Sequence, residues 1–159
     1  MITTSRKLLA ATVAAATLVA APLALSHMVK EEPLQSYRQS YFTLLAMNFG
    51  PIADMVKGDR PWDDAKLQAF ASDFAAIASA DVTRAFAPGT DKGTTRAKPG
   101  IWDNMDDFKA KFADMQEAAA QLGAAAASGD KVAVGEAVKM TGGTCKSCHD
   151  EYKAKDYLY

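Results

Sequence analysis

The sequence predicts an all-α protein, an antiparallel four-helix bundle. Three observations carry that reading. Four segments repeat apolar residues at steps of three and four, the period of one helix face. No segment alternates with period two, as a half-buried strand would. The connections are short, and the near-heptad stepping suits helices crossing at about 20°. The 159 residues are 49% hydrophobic and 23% charged, enough apolar material for one buried core and too much for a disordered tail. Charge is 18 Lys+Arg against 19 Asp+Glu, which disfavours a nucleic-acid binder with its basic face. Two cysteines and two histidines cannot build a disulfide framework or an imidazole-rich metal cluster.

Residues 1–26 read as a secretory signal peptide and 27–159 as the folded domain. Arg6 and Lys7 form a short positive stretch, Leu8 to Ala21 is apolar, and Ala24-Leu25-Ser26 puts small residues where a signal peptidase needs them. The run is short for a membrane span and is followed by Pro22. The rival reading is an uncleaved anchor. Arg6-Lys7 is not a twin-arginine pair, so general secretion is expected, with a periplasmic destination. Cleavage after Ser26 removes two of the 18 cations, leaving 16 against 19, a net charge of -3.

The first helical segment spans about Glu31 to Lys57, with Leu34, Tyr37, Tyr41, Leu45, Phe49, Ile52 and Val56 on one face. Pro33 suits its first turn and Gly58 its stop; Pro51, inside it, predicts a kink rather than a break. The second spans about Asp63 to Ala80, with Leu67, Phe70, Phe74 and Ile77 facing inward. A loop from Ala87 to Gly100 carries Pro88-Gly89, Gly93 and Pro99-Gly100. The third segment steps from Trp102 through Met105, Phe108, Phe112, Met115, Ala119 and Leu122 to Ala126, and Ser128-Gly129-Asp130 ends it. The fourth, about Lys131 to Lys155, aligns Val134, Val138, Thr141, Cys145, Cys148 and Tyr152.

Both cysteines fall in Cys145-Lys146-Ser147-Cys148-His149, a C-x-x-C-H run, the attachment signature for c-type haem. The spacing has a mechanical reason. Two thioether bonds to one porphyrin edge need two sulfurs on one side, and helix positions i and i+3 supply them. The adjacent His149 can then turn its imidazole to the iron. Other readings fit less well. A thioredoxin-like pair wants a βαβ setting, a zinc site lacks ligands beyond His27, and a disulfide across one helical turn would be strained. Gly142-Gly143 precedes the motif, either as local fraying or as room for a porphyrin plane. For a second axial donor the chain offers His27 near the mature terminus and Met47, Met55, Met105, Met115 and Met140, each methionine more often core filler than ligand.

Further residues carry a resemblance. Tyr37-Arg38-Gln39-Ser40 with Phe42, then Phe49-Gly50 and Lys57-Gly58, resembles the first helix of the cytochromes c′, the class II c-type cytochromes. Phe86, Pro88-Gly89-Thr90 and Pro99-Gly100-Ile101-Trp102 resemble that family's second-helix end and following loop, and the C-terminal Gly143–Tyr152 run completes the likeness. The resemblance implies one covalent haem c on Cys145 and Cys148, with His149 as proximal iron ligand. It implies Arg38 and Gln39 near the haem propionates, Phe86 among the cofactor-binding residues, and Lys153 as a basic residue beside the proximal imidazole. Phe42 matches the position facing the vacant side of the iron, where six-coordinate relatives carry Met, so five-coordinate iron is implied. The plainer alternatives are a surface arginine at 38, core packing at 42 and a solvated helix-end lysine at 153. Pro51 departs from the family pattern, and Met47 lies close enough in sequence to offer a thioether if the helix is distorted.

The resemblance implies a periplasmic haem protein that binds NO or CO, transfers single electrons to an unidentified redox partner, or both. By family analogy it forms a homodimer through the first-helix surface. No nucleic-acid binding and no stable membrane insertion are expected. No general acid–base pair or activated nucleophile is evident, so an enzyme is not expected. Two alternatives stand: a six-coordinate Met/His electron carrier, and a haem-free periplasmic helical binding protein.

Overall fold

A computed structural model describes residues 32–158. The signal segment, its cleavage site and His27 lie outside the described residues. Helix α1 runs from Pro33 to Lys57, with proline at its start. At its end Gly58 adopts φ 84°, a left-handed turn that lets its N–H return to the carbonyls of Asp54 and Met55. Pro51 lies within α1 without ending it. The carbonyl that Pro51 deprives of a partner belongs to Met47, which is 67% exposed, so water can satisfy it.

Helix α2 spans Asp64–Ala78 and is capped by Asp63, whose carboxylate accepts from Lys66 N at 3.0 Å. A 3-10 turn at Thr83–Ala85 leads into the long loop. Helix α3 is a single turn, Gly100–Asp103; α4 spans Met105–Ser128 and α5 spans Lys131–Tyr152. Asp130 caps α5, accepting from Val132 N and Ala133 N at 2.8 and 3.2 Å. Among the described residues no strand forms, only an isolated antiparallel bridge between Ala97 and Lys153. None of their helices is long and apolar enough to cross a membrane.

Helix α1 packs on α2, α2 on α4, α4 on α5, and α5 back on α1, the ring of neighbours expected of a four-helix bundle. The predicted inward faces meet at Ile52, Leu67, Phe74, Leu122 and Val134, all essentially without solvent contact. The carbonyl of Ala78 at the end of α2 accepts from Tyr41 Oη of α1 at 3.1 Å and from Gln116 Nε2 of α4 at 2.8 Å. Two neighbouring helices thus satisfy a helix terminus that has no basic residue in its last turn.

Two predicted boundaries are corrected. The third segment is not continuous from Trp102. The chain leaves helical geometry at Asn104 (φ -131°, ψ 45°), so Trp102 sits in α3 and the long helix starts at Met105. The fourth helix stops at Tyr152 rather than near Lys155. Lys153 is extended (φ -110°, ψ 123°) because the chain after it bonds to the loop instead of to its own preceding turn.

Candidate functional site

Cys145 and Cys148 sit one turn apart on α5, half-buried, packed against the hydrophobic core and in no disulfide. Loss of water raises both thiol pKa values, that of Cys148 to about 11, with Lys111 opposing at Cys148. Both sulfurs are therefore protonated near neutrality and outside any disulfide, on the core side of the helix. Gly142 and Gly143 are helical rather than frayed, and a Cβ at either would meet nothing within 4 Å. A cleft of about 270 Å³ opens between α4 and α5 there, lined by Lys111, Asp114, Met140, Gly143, Thr144 and Ser147. Two thiols outside any disulfide on one helix face and an adjacent imidazole fit what covalent haem attachment requires; the cleft itself is lined by none of the three.

His149 lies in the last turn of α5 and is exposed. Partial shielding of its ring lowers its pKa; the positive charges of Lys153 and Arg96 act in the same direction, and Asp150 opposes them. Lys153, read from sequence as one helical turn beyond His149, is exposed on the extended chain instead. Its N–H still closes onto the His149 carbonyl at 3.1 Å. Among the described residues, no cluster of three or more His, Cys, Asp or Glu side chains could hold a metal ion.

The surface reading of Arg38 is corrected: the residue is 3% exposed. Its Nη1 donates to Ala85 O at 3.0 Å and Thr90 Oγ1 at 2.8 Å; its Nη2 donates to Thr90 O at 2.9 Å and Thr95 Oγ1 at 3.2 Å. All four Nη donors are thereby spent on the 85–95 segment, leaving Nε. The guanidinium also lies 4.7 Å from the Phe86 ring centroid and 5.8 Å from that of Trp102. Phe86 is buried, 4.7 Å from Phe108, which is 5.5 Å from Tyr152. An aromatic chain thus runs from Arg38 on α1 to the end of α5. Gln39 is exposed and donates to Thr94 O at 2.6 Å. Phe42 is half-buried, edge-on to Tyr41 with centroids 5.2 Å apart. Met47 is exposed on unbroken helix, while Met55 and Met115 are core residues.

Sequence reasoning missed how the loop is held. Glu32 accepts from Thr94 N at 2.9 Å, and Gln35 donates to Lys92 O at 3.1 Å. With Arg38 and Gln39 they form one face of α1, at helical spacing, and that spacing was the available signal. Beyond Thr95 the loop grips the C-terminal tail. Lys98 N donates to Tyr152 O at 2.9 Å, Ala154 N to Arg96 O at 2.7 Å and Leu158 N to Thr95 O at 3.1 Å. Arg96 Nε donates to Ala154 O at 2.9 Å, and Lys98 Nζ to the Asp150 and Glu151 carbonyls, both at 3.0 Å.

Tyr152 Oη donates to Asp107 Oδ2 at 2.5 Å. That bond, then burial, pushes the phenol from 10 up to about 12. Below pH 10 the phenol is protonated in folded and unfolded chains alike and adds no pH dependence. Above it the unfolded chain releases the proton first, so this group's contribution to stability declines between pH 10 and 12. Tyr152→Phe should cost about 1 kcal/mol at neutral pH. Urea unfolding at pH 9 and pH 11.5 should show the stability gap between wild type and variant shrinking at the higher pH.

Residues 34–153 match the family described as cytochrome c′. A cytochrome c′ of Cereibacter sphaeroides is 43% identical over 143 residues, covering 88% of this chain and 95% of the relative. The solved structure of cytochrome c prime from Shewanella frigidimarina is 40% identical with a TM-score of 0.75, covering 80% of this chain and all of that one. A nitric oxide complex of a mutant cytochrome c prime from Alcaligenes xylosoxidans is 37% identical with a TM-score of 0.71, covering 80% and 99%.

Proposed function

The chain belongs to the cytochrome c′ family, whose cofactor is covalent haem c, and from that premise we propose that it is a periplasmic five-coordinate monohaem protein that binds nitric oxide. The observation carrying this reading is the pair of half-buried, unpaired thiols of Cys145 and Cys148 one turn apart, followed at once by the imidazole of His149. The two cysteines would hold the porphyrin edge and His149 would supply the proximal nitrogen. When bound, the haem supplies one-electron redox chemistry and an open coordination position for a small diatomic. Phe42 has no donor atom, so on the open side of the haem it would crowd a ligand without itself ligating. Arg38 and Gln39 hold the loop against α1, and the positive charges of Arg96 and Lys153 bear on the proposed proximal imidazole. Nitric oxide enters the proposal because a relative 37% identical was solved as its complex. Single-electron exchange with a redox partner is open to the same site. The exposed Tyr37, Leu44 and Met47 of α1 are the surface proposed for pairing with a second copy.

Optical titration of the reduced protein with CO tests the reading. A broad high-spin Soret band that sharpens and shifts with CO is expected; a sharp low-spin α band before any gas is added would mean that two protein donors already bind the iron. Phe42→Met places a thioether where the phenyl ring stands and should move the ferrous spectrum toward low spin. An unchanged high-spin spectrum in that variant would remove Phe42 from the distal face.

A further inference from the structure

Thr95 is one of three buried polar or charged residues among those described, with Arg38 and Thr141, at 3% exposure. It lies in the loop rather than in a helix, where burial of a hydroxyl needs a reason. Its Oγ1 accepts from Arg38 Nη2 at 3.2 Å and from Ala97 N at 3.1 Å, and its carbonyl accepts from Leu158 N at 3.1 Å. One residue therefore joins two holds. On one side stands the α1 face of Glu32, Gln35, Arg38 and Gln39. On the other stands the tail that follows α5. Phe42 is one helical turn beyond Arg38 on α1, and His149 is in the turn that ends where the tail begins.

We propose that Thr95 is a positioning residue for the gas site: by tying Arg38 to the loop segment that clamps the tail, it sets where α1, which carries Phe42, stands relative to the end of α5, which carries His149. This rests on the haem-binding reading above. The physical logic is local. The Ala97 N–H bond to Oγ1 turns the chain at Thr95 so that the 95–98 backbone faces residues 152–158. The Arg38 bond fixes the same oxygen to α1. A side chain of the same shape without the oxygen loses both bonds and fills the same space, so packing is kept while the tie is cut. With the tie cut α1 stays held to residues 85–94 by the remaining bonds of Arg38, Glu32, Gln35 and Gln39, while the 95–98 segment and the tail it grips can move away from α1, and the crowding that Phe42 imposes on a bound diatomic is relieved.

The test uses the mature haem-loaded protein with Thr95→Val, Thr95→Ser as the rescue, and Leu158→Pro, which removes the tail N–H at the far end of the tie. Two quantities are read: amide hydrogen exchange at Ala154 and Leu158, or at Ala154 alone in the Leu158→Pro protein, and CO affinity of the ferrous protein. Thr95→Val should speed exchange by roughly tenfold and tighten CO by roughly fivefold, the scale of one or two lost hydrogen bonds. Thr95→Ser should restore both values, and Leu158→Pro should shift both in the same direction by less. Faster exchange with unchanged CO affinity in both the Val and Pro variants would make Thr95 a structural residue only and overturn the proposal. Should Thr95→Val fail to fold, Leu158→Pro decides alone, because it alters the exposed tail and not the core. A colourless wild-type protein would sink the haem reading together with this one, whereas a coloured protein indifferent to the substitutions sinks this one alone.

Discussion

A chain carrying Cys145→Ser and Cys148→Ser, matured in a host that attaches haem, should emerge without covalently bound pigment. The effect is all-or-none because the chain has two cysteines and no other thiol. Serine keeps the size and loses the nucleophilic sulfur, so no thioether can form. The fold should persist without the bonds, since the core residues Ile52, Leu67, Phe74 and Leu122 are fully buried by contacts among the helices themselves. Denaturing gels stained for haem peroxidase activity read the result directly. Each single variant should retain pigment through one bond. Pigment surviving denaturation in the double variant would place attachment elsewhere. His149→Ala offers the complementary outcome, with pigment still attached and its spectrum changed, because the variant removes the proposed proximal nitrogen and leaves both sulfurs.

The second large effect is expected at Arg38. Arg38→Met should lower stability by about 2–4 kcal/mol, the scale for losing several hydrogen bonds to a charged donor and leaving buried carbonyls unpaired. The loss exceeds that of a surface arginine because four acceptor contacts disappear together. Ala85 O and Thr90 O would be left facing an apolar side chain. Thr90 Oγ1 suffers less, since it also donates to Ala87 O at 2.8 Å. Arg38→Lys should recover only a minor part, because a single ammonium cannot reach acceptors spread over residues 85 to 95 or stack on Phe86 and Trp102. Urea denaturation midpoints measure both variants. A midpoint shift in Arg38→Met equivalent to less than about 1 kcal/mol would mean that the loop does not depend on the guanidinium.

Much of this architecture was legible from periodicity. The apolar steps of α1, α2 and α5 report which face is buried, and burial is what periodicity measures. The same signal concealed the break at Asn104. Trp102, Met105 and Phe108 keep the three-residue step across it, since a one-turn helix and its successor bury the same side. The end of α5 was misjudged for a different reason. Lys153 and Lys155 are good helix formers, and nothing local says that Arg96 and Lys98 compete for their backbone. The C-x-x-C-H run was readable because its spacing is set by chemistry rather than by packing. The burial of Arg38 and Thr95 was not, because it depends on a loop whose hydrogen bonds follow no period.

The tie between loop and tail also bears on the order in which the molecule can be assembled. Its bonds join residues far apart in sequence, Glu32 to Thr94 (62 positions) and Arg96 to Ala154 (58 positions), whereas α4 and α5 are joined by a connection only two residues long. Contacts across short connections close quickly, and those across long ones wait on loop entropy. A chain made from its N-terminus presents residues 145–149 before residues 153–158. The latch therefore closes after the hairpin of α4 and α5, and formation of the hairpin that carries both cysteines does not wait on it.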